Sequence, residues 1–91
     1  MEFEWDASKS QANYRKHGLD FRDAEKVFQG LVITREDSRK NYGEKRWITM
    51  GKLEEITVVI VYVQRGERLR IISMRRANVR ERKVYEEKNI F

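Results

Sequence analysis

Ninety-one residues, with 20 Lys and Arg against 15 Asp and Glu and a formal net charge of +5, make one small basic domain spanning 1–91. No cysteine and a single histidine exclude a disulfide framework and a thiolate metal site, so neither metal nor cofactor is expected. The longest apolar run, "ITVVIVYV", is too dense for a solvated coil and too short for a membrane span, and "MEFEWDASKS" is too acidic for a signal peptide. The expectation is a cytoplasmic protein without membrane contact.

In chain order, the alternating "MEFEW" reads as a short first strand. Asp6 can cap a helix from Ala7 to about His17, which Gly18 would close in the left-handed conformation. Asp20 and Asp23 open a second helix with the apolar face Phe21, Ala24, Val27 and Phe28, and Gly30 ends it. Strands are expected at 31–36, then after a polar loop "DSRKNYG" at 45–51, 56–65 and 68–75, the last three forming a meander. Gly66-Glu67 suits a two-residue II′ turn with glycine first. Asn78 and Glu81 have capping-box spacing and start a last helix from about Val79 to Lys88. The order β-α-α-β-β-β-β-α predicts an α+β domain with one mostly antiparallel sheet packed by helices.

Residues 1–45 carry nine basic and nine acidic side chains, whereas 46–91 carry eleven and six. The whole excess therefore lies in the second half, as a polyanion-binding face requires. If Arg65 and Arg68 flank the turn directly opposite each other, the pairs 63/70, 61/72 and 59/74 follow, and Arg65, Arg68 and Arg70 share one face. A symmetric "KLEE" loop, 52–55, puts Arg46 on that face opposite Val61, while Arg75 points to the other face. Phosphate is the anion that guanidinium geometry matches best. The competing expectation pairs these arginines with Glu44, Glu54, Glu55 and Glu67, in contacts that contribute only ~0–1 kcal/mol each when exposed.

Five segments carry a family resemblance: "FEWD" (3–6), "NYRKHGLDF" (13–21), "DAEKVF" (23–28), "GEKRWITMG" (43–51) and "RIISMRRANVRERKVYEE" (70–87). In this order and spacing the chain resembles the BrnT family, ribonuclease toxins of type II toxin–antitoxin pairs. The resemblance implies a RelE-like fold, metal-independent cleavage of RNA and inhibition of translation. It also implies a BrnA-like ribbon-helix-helix antitoxin that neutralises the toxin in a hetero-oligomer and binds operator DNA. One departure is Ala7, where many relatives have a helix-starting proline. The alternative is a non-catalytic nucleic-acid-binding or regulatory module whose basic face only holds phosphates or an acidic partner.

RNA cleavage without metal requires a base for the 2′-hydroxyl, stabilisation of the phosphate and a proton for the leaving 5′-oxygen. His17 is a candidate acid or base with Lys16 as phosphate contact, or else a residue that suits the end of a helix dipole. Asn13, one turn earlier, orients His17, contacts a base or is an exposed helix residue. Arg46, Arg65 and Arg70 are the candidate catalytic arginines, with Arg68 binding RNA beside them. Glu44 is either a general base beside Arg46 or that arginine's ion-pair partner. Arg75 and Arg76 either clamp phosphate or tie the last helix to the sheet through carbonyls or Glu86. Arg80 is an RNA contact, or with Arg82 and Lys83 a solvated or antitoxin-facing helix surface. Tyr85 is a proton donor or base stack, or a core residue. Trp5, Trp47 and Tyr62 are candidate base-stacking platforms, although Trp47 and Tyr62 fall opposite the arginines by parity, so packing beneath the helices is their default.

Overall fold

The computed structural model describes residues 1–88. The elements are β1 (Glu2–Glu4), α1 (Ala7–His17), a 3-10 turn (Phe21–Asp23) running into α2 (Ala24–Phe28), β2 (Ile33–Asp37), β3 (Arg46–Leu53), β4 (Ile56–Arg65), β5 (Arg68–Arg76) and α3 (Val79–Lys88). This is the expected order. The second helix is shorter than its apolar periodicity suggests, because Asp20 caps a 3-10 turn before the α-helical hydrogen bonds begin. Gly18 closes α1 at φ +72°, and its N–H donates to the Tyr14 carbonyl.

The strands form one mixed sheet in the order β1-β5-β4-β3-β2. β1 runs parallel to β5, with Glu2 opposite Arg68 and Glu4 opposite Arg70, and the other pairings are antiparallel. Helices cover the two faces unequally. The larger core packs Leu19, Phe21, Ala24 and Val27 onto Val58, Ile60, Tyr62, Leu69, Ile71 and Met74, with Trp47 and Phe28 at its margin. Trp47 and Tyr62 thus lie where parity placed them. At Gly51 an added Cβ would stand 2.7 Å from Val27 Cγ1 and 3.1 Å from Val32 Cγ1, so this strand position needs glycine to let α2 approach.

The smaller core, on the other face, joins Tyr85 of α3 to Ile48, Met50, Val59 and Val61. A complete capping box starts α3: the Asn78 N–H donates to Glu81 Oε1 at 2.9 Å, and the Glu81 N–H donates to Asn78 Oδ1 at 2.8 Å.

Two register expectations need correction. β3 runs on to Leu53 opposite Ile56 and turns through Glu54 at φ +57°, so Trp47 lies opposite Tyr62 and Ile48 opposite Val61. Continued by one residue, this sets Arg46 beside Val63 rather than Val61, which leaves it on the same face. The hairpin of β4 and β5 keeps Arg65 opposite Arg68 and Val63 opposite Arg70, but an irregularity at Val61/Tyr62 replaces 61/72 and 59/74 with Val61 opposite Ser73 and Val59 opposite Arg75. An extra residue in β5 reverses the alternation beyond it. Arg75 is therefore brought onto the face of Arg70 instead of the opposite one.

Candidate nucleic-acid interface

Alternation along four strands builds the arginine face. Arg65 and Arg68 pair at the hairpin end, Arg70 lies one step inward beside Val63, and Arg46 follows on β3. Asp37 of β2 stands opposite Arg46, and Arg35 opposite Ile48. The smaller core and α3 occupy the other half of this face. Sequence parity thus located the convergence of Arg46, Arg65, Arg68 and Arg70.

What the face carries besides arginine differs from expectation. Arg65 Nη2 lies 3.2 Å from Glu44 Oε1. Arg68 Nε donates to Glu2 at 3.0 Å, and Arg70 Nη1 donates to Glu4 at 2.8 Å. The parallel pairing of β1 with β5 sets each glutamate directly beside its arginine. Among the described residues Glu54, Glu55 and Glu67 make no ion pair, and Glu44 serves Arg65 rather than Arg46. The strand that begins the chain therefore supplies counter-charges that sequence reasoning assigned to the turns.

Arg46 is the exception. No carboxylate pairs with it among the described residues; its Cζ sits 3.9 Å from the centroid of the Tyr42 ring. Its Nε is buried without a hydrogen-bond partner. Asp37, the acid opposite it, is buried and held by Arg39 through Nε and Nη2, both at 2.8 Å. That arginine, with a weaker contribution from Tyr42, keeps the Asp37 carboxyl well below the usual carboxylate range despite burial. Asp37, Arg39 and Tyr42 escaped the sequence reading, which took 37–43 as a polar loop. The available signal was that Asp37 continues the strand's alternation onto the arginine face.

Arg75 makes a bidentate contact with Glu81, both hydrogen bonds 2.8 Å, and a third to the Arg76 carbonyl at 3.3 Å. It ties α3 to the sheet, through Glu81 rather than Glu86. Arg75 draws the Glu81 carboxyl down to about 2, against the opposing effect of burial. Arg76 lies opposite Val58, on the side of the larger core, so Arg75 and Arg76 do not form a clamp. Arg80 is exposed and borders a cleft of about 430 Å³ between α3 and β2–β3, floored by Ile33, Ile48 and Met50.

Of the candidate proton carriers, only Glu44 pairs with an arginine of this face among the described residues. Tyr85 is 5% exposed and packs in the smaller core, where its hydroxyl donates to the Leu31 carbonyl at 2.8 Å. His17 is half-buried at the end of α1, Lys16 is exposed, and neither has a hydrogen bond or ion pair to the arginine face among the described residues. Asn13 is buried, contrary to its reading as an exposed residue or base contact. Its Oδ1 accepts from the Met74 N–H at 3.2 Å and its Nδ2 donates to the Leu19 carbonyl at 3.0 Å. Beyond the reach of β1, the side chain takes over one ladder bond at the edge of β5. The Asn-x-x-Lys-His-Gly spacing thus contains a structural anchor and a helix stop.

No group of three His, Asp or Glu side chains that could hold a metal ion occurs among the described residues, and no described helix is long and apolar enough to cross a membrane. Fold and face together define a small α+β protein with arginines gathered on one face of its sheet. No curated protein sequence matches the chain. A family model does: that of the ribonuclease toxin BrnT of type II toxin–antitoxin systems covers residues 5–81, and the chain belongs to that family. An RNA substrate and an antitoxin partner come with that membership.

Proposed function

We propose that this chain is an endoribonuclease that cleaves RNA without a metal ion and thereby inhibits translation in the cytoplasm. In this reading its fold is RelE-like, and a BrnA-like ribbon-helix-helix antitoxin neutralises it in a hetero-oligomer that binds operator DNA. The observation that carries the reading is Arg46, a half-buried guanidinium without a carboxylate partner among the described residues, on the sheet face that also carries Arg65 and Arg70. Such a group is preorganised for the charge that builds on a phosphate in the transition state. Glu44, held by Arg65, takes the proton of the 2′-hydroxyl; the oxygen attacks phosphorus, and the 5′-oxygen leaves and acquires a proton. The products are a 2′,3′-cyclic phosphate and a 5′-hydroxyl. Arg68 contacts the RNA backbone, and Lys16 and His17 are peripheral.

Incubation of single-stranded RNA with the protein in EDTA, with analysis of product ends, tests the chemistry. Arg46→Ala combined with Arg65→Ala is expected to abolish growth arrest while the protein stays folded, and arrest by the folded double variant would refute the assignment. Loss of cleavage in His17→Ala with an active Glu44→Gln would move the proton role to His17. A second reading, a module that binds phosphates without cutting, is favoured by the hydrogen bond that engages the Tyr85 hydroxyl with the Leu31 carbonyl; intact RNA at saturating protein would establish it.

A further inference from the structure

Arg65, Arg68, Arg70 and Arg75 each take their orientation from a carboxylate, at the cost of part of their charge. Arg46 takes its orientation from a ring. An aromatic face attracts a guanidinium without neutralising it, so the side chain is fixed while its full charge stays available to an anion. The loop that carries Tyr42 is itself held at both ends. Arg39 binds Asp37 before it, and Glu44 meets Arg65 after it. Between them the Gly43 N–H donates to Asn41 Oδ1 at 2.9 Å, with Gly43 at φ +79°, a conformation that costs glycine little.

We infer that Tyr42 is a positioning residue for Arg46: its ring holds the guanidinium in place for an RNA phosphate. The inference rests on the proposed role of Arg46 in RNA cleavage. Removing the ring lets the guanidinium sample other rotamers, which weakens an interaction made most strongly in the transition state.

A double-mutant cycle tests this on single-stranded RNA, with thermal unfolding as a check on folding. Tyr42→Leu is expected to lower kcat by about three- to tenfold with little change in KM. Tyr42→Phe keeps the ring and should stay within about twofold of wild type. In an Arg46→Ala background, Tyr42→Leu should cost nothing further, because its effect runs through Arg46. Arg22→Ala, an equal loss of charge on the 3-10 turn, serves as the neutral control.

Full additivity with Arg46→Ala, or a Phe variant as impaired as the Leu variant, overturns the role of Tyr42 and leaves the nuclease reading standing. Wild-type cleavage that Arg46→Ala does not affect overturns both the role of Arg46 and that of Tyr42. If the wild-type protein binds RNA but leaves it intact, the nuclease reading falls, and the same cycle read as RNA affinity decides for or against Tyr42. Neither binding nor cleavage overturns both.

Discussion

Replacing Glu81 by Gln isolates one contact that joins α3 to the sheet. Glutamine retains an acceptor for the Asn78 N–H and removes the charge that Arg75 grips from two sides. The Glu81 carboxyl, 22% exposed, is drawn from the ordinary 4.5 to about 2. At ~1.4 kcal/mol per tenfold change in proton affinity, that difference sets a ceiling of ~3 kcal/mol on its contribution to stability. Arg75 is 37% exposed, so solvent screening reduces the expected value to ~1–2 kcal/mol. Because the folded-state value is depressed, this contribution is fully present above pH 4.5 and is lost as pH falls towards 2. Urea denaturation followed by tryptophan fluorescence should therefore show Glu81→Gln less stable by ~1–2 kcal/mol at pH 7, with the gap closing between pH 4.5 and 2.5. Other titrating groups, including Asp37, are common to both proteins and cancel in the difference. A gap that does not change with pH, or one below ~0.3 kcal/mol at pH 7, would refute the reasoning.

Gly51→Ala places a methyl group 2.7 Å from Val27 Cγ1, and calorimetry should record a destabilisation of ~1–3 kcal/mol as α2 is pushed off β3. Tyr85→Phe loses the hydrogen bond to the Leu31 carbonyl and should cost ~0.5–1.5 kcal/mol of stability, while RNA cleavage at a temperature where the variant is folded stays at the wild-type rate. A folded Tyr85→Phe variant without cleavage would return the hydroxyl to the chemistry.

Elements set by neighbours in the chain are legible in the sequence alone. Asp6 and Gly18 bound α1, Asn78 and Glu81 start α3, and β4 has the expected bounds, because caps, turns and alternation act over a few residues. The errors share a different cause. No glycine or proline marks the irregularity near Ile72 and Ser73, yet one extra residue there decides which face Arg75 joins. The counter-charges at Glu2 and Glu4 depend on β1 pairing with β5, a contact across 66 positions that local patterns do not encode. Asn13 carries the same lesson. Its burial follows from where β1 ends along β5, and nothing in α1 itself announces it.

The carboxylates on the arginine face also bear on how RNA would bind there. A lone surface arginine releases condensed counterions from a phosphate, and for a single strand the logarithm of affinity falls with the logarithm of salt at a slope of about −0.7 per phosphate neutralised. Four unpaired arginines would give a slope near −3. Arg65, Arg68 and Arg70 must instead leave Glu44, Glu2 and Glu4, and each released carboxylate takes up a cation as the phosphate gives one back. Only Arg46 escapes this exchange, so the expected slope lies between about −0.7 and −1.4, with the steeper value allowing one further contact. Glu2→Gln with Glu4→Gln should steepen it towards about −2, by freeing Arg68 and Arg70. Affinity measured against salt by fluorescence anisotropy distinguishes the cases. A wild-type slope near −3 would mean that the carboxylates do not compete with phosphate, and that the internal pairs seen on this face are not part of its working charge.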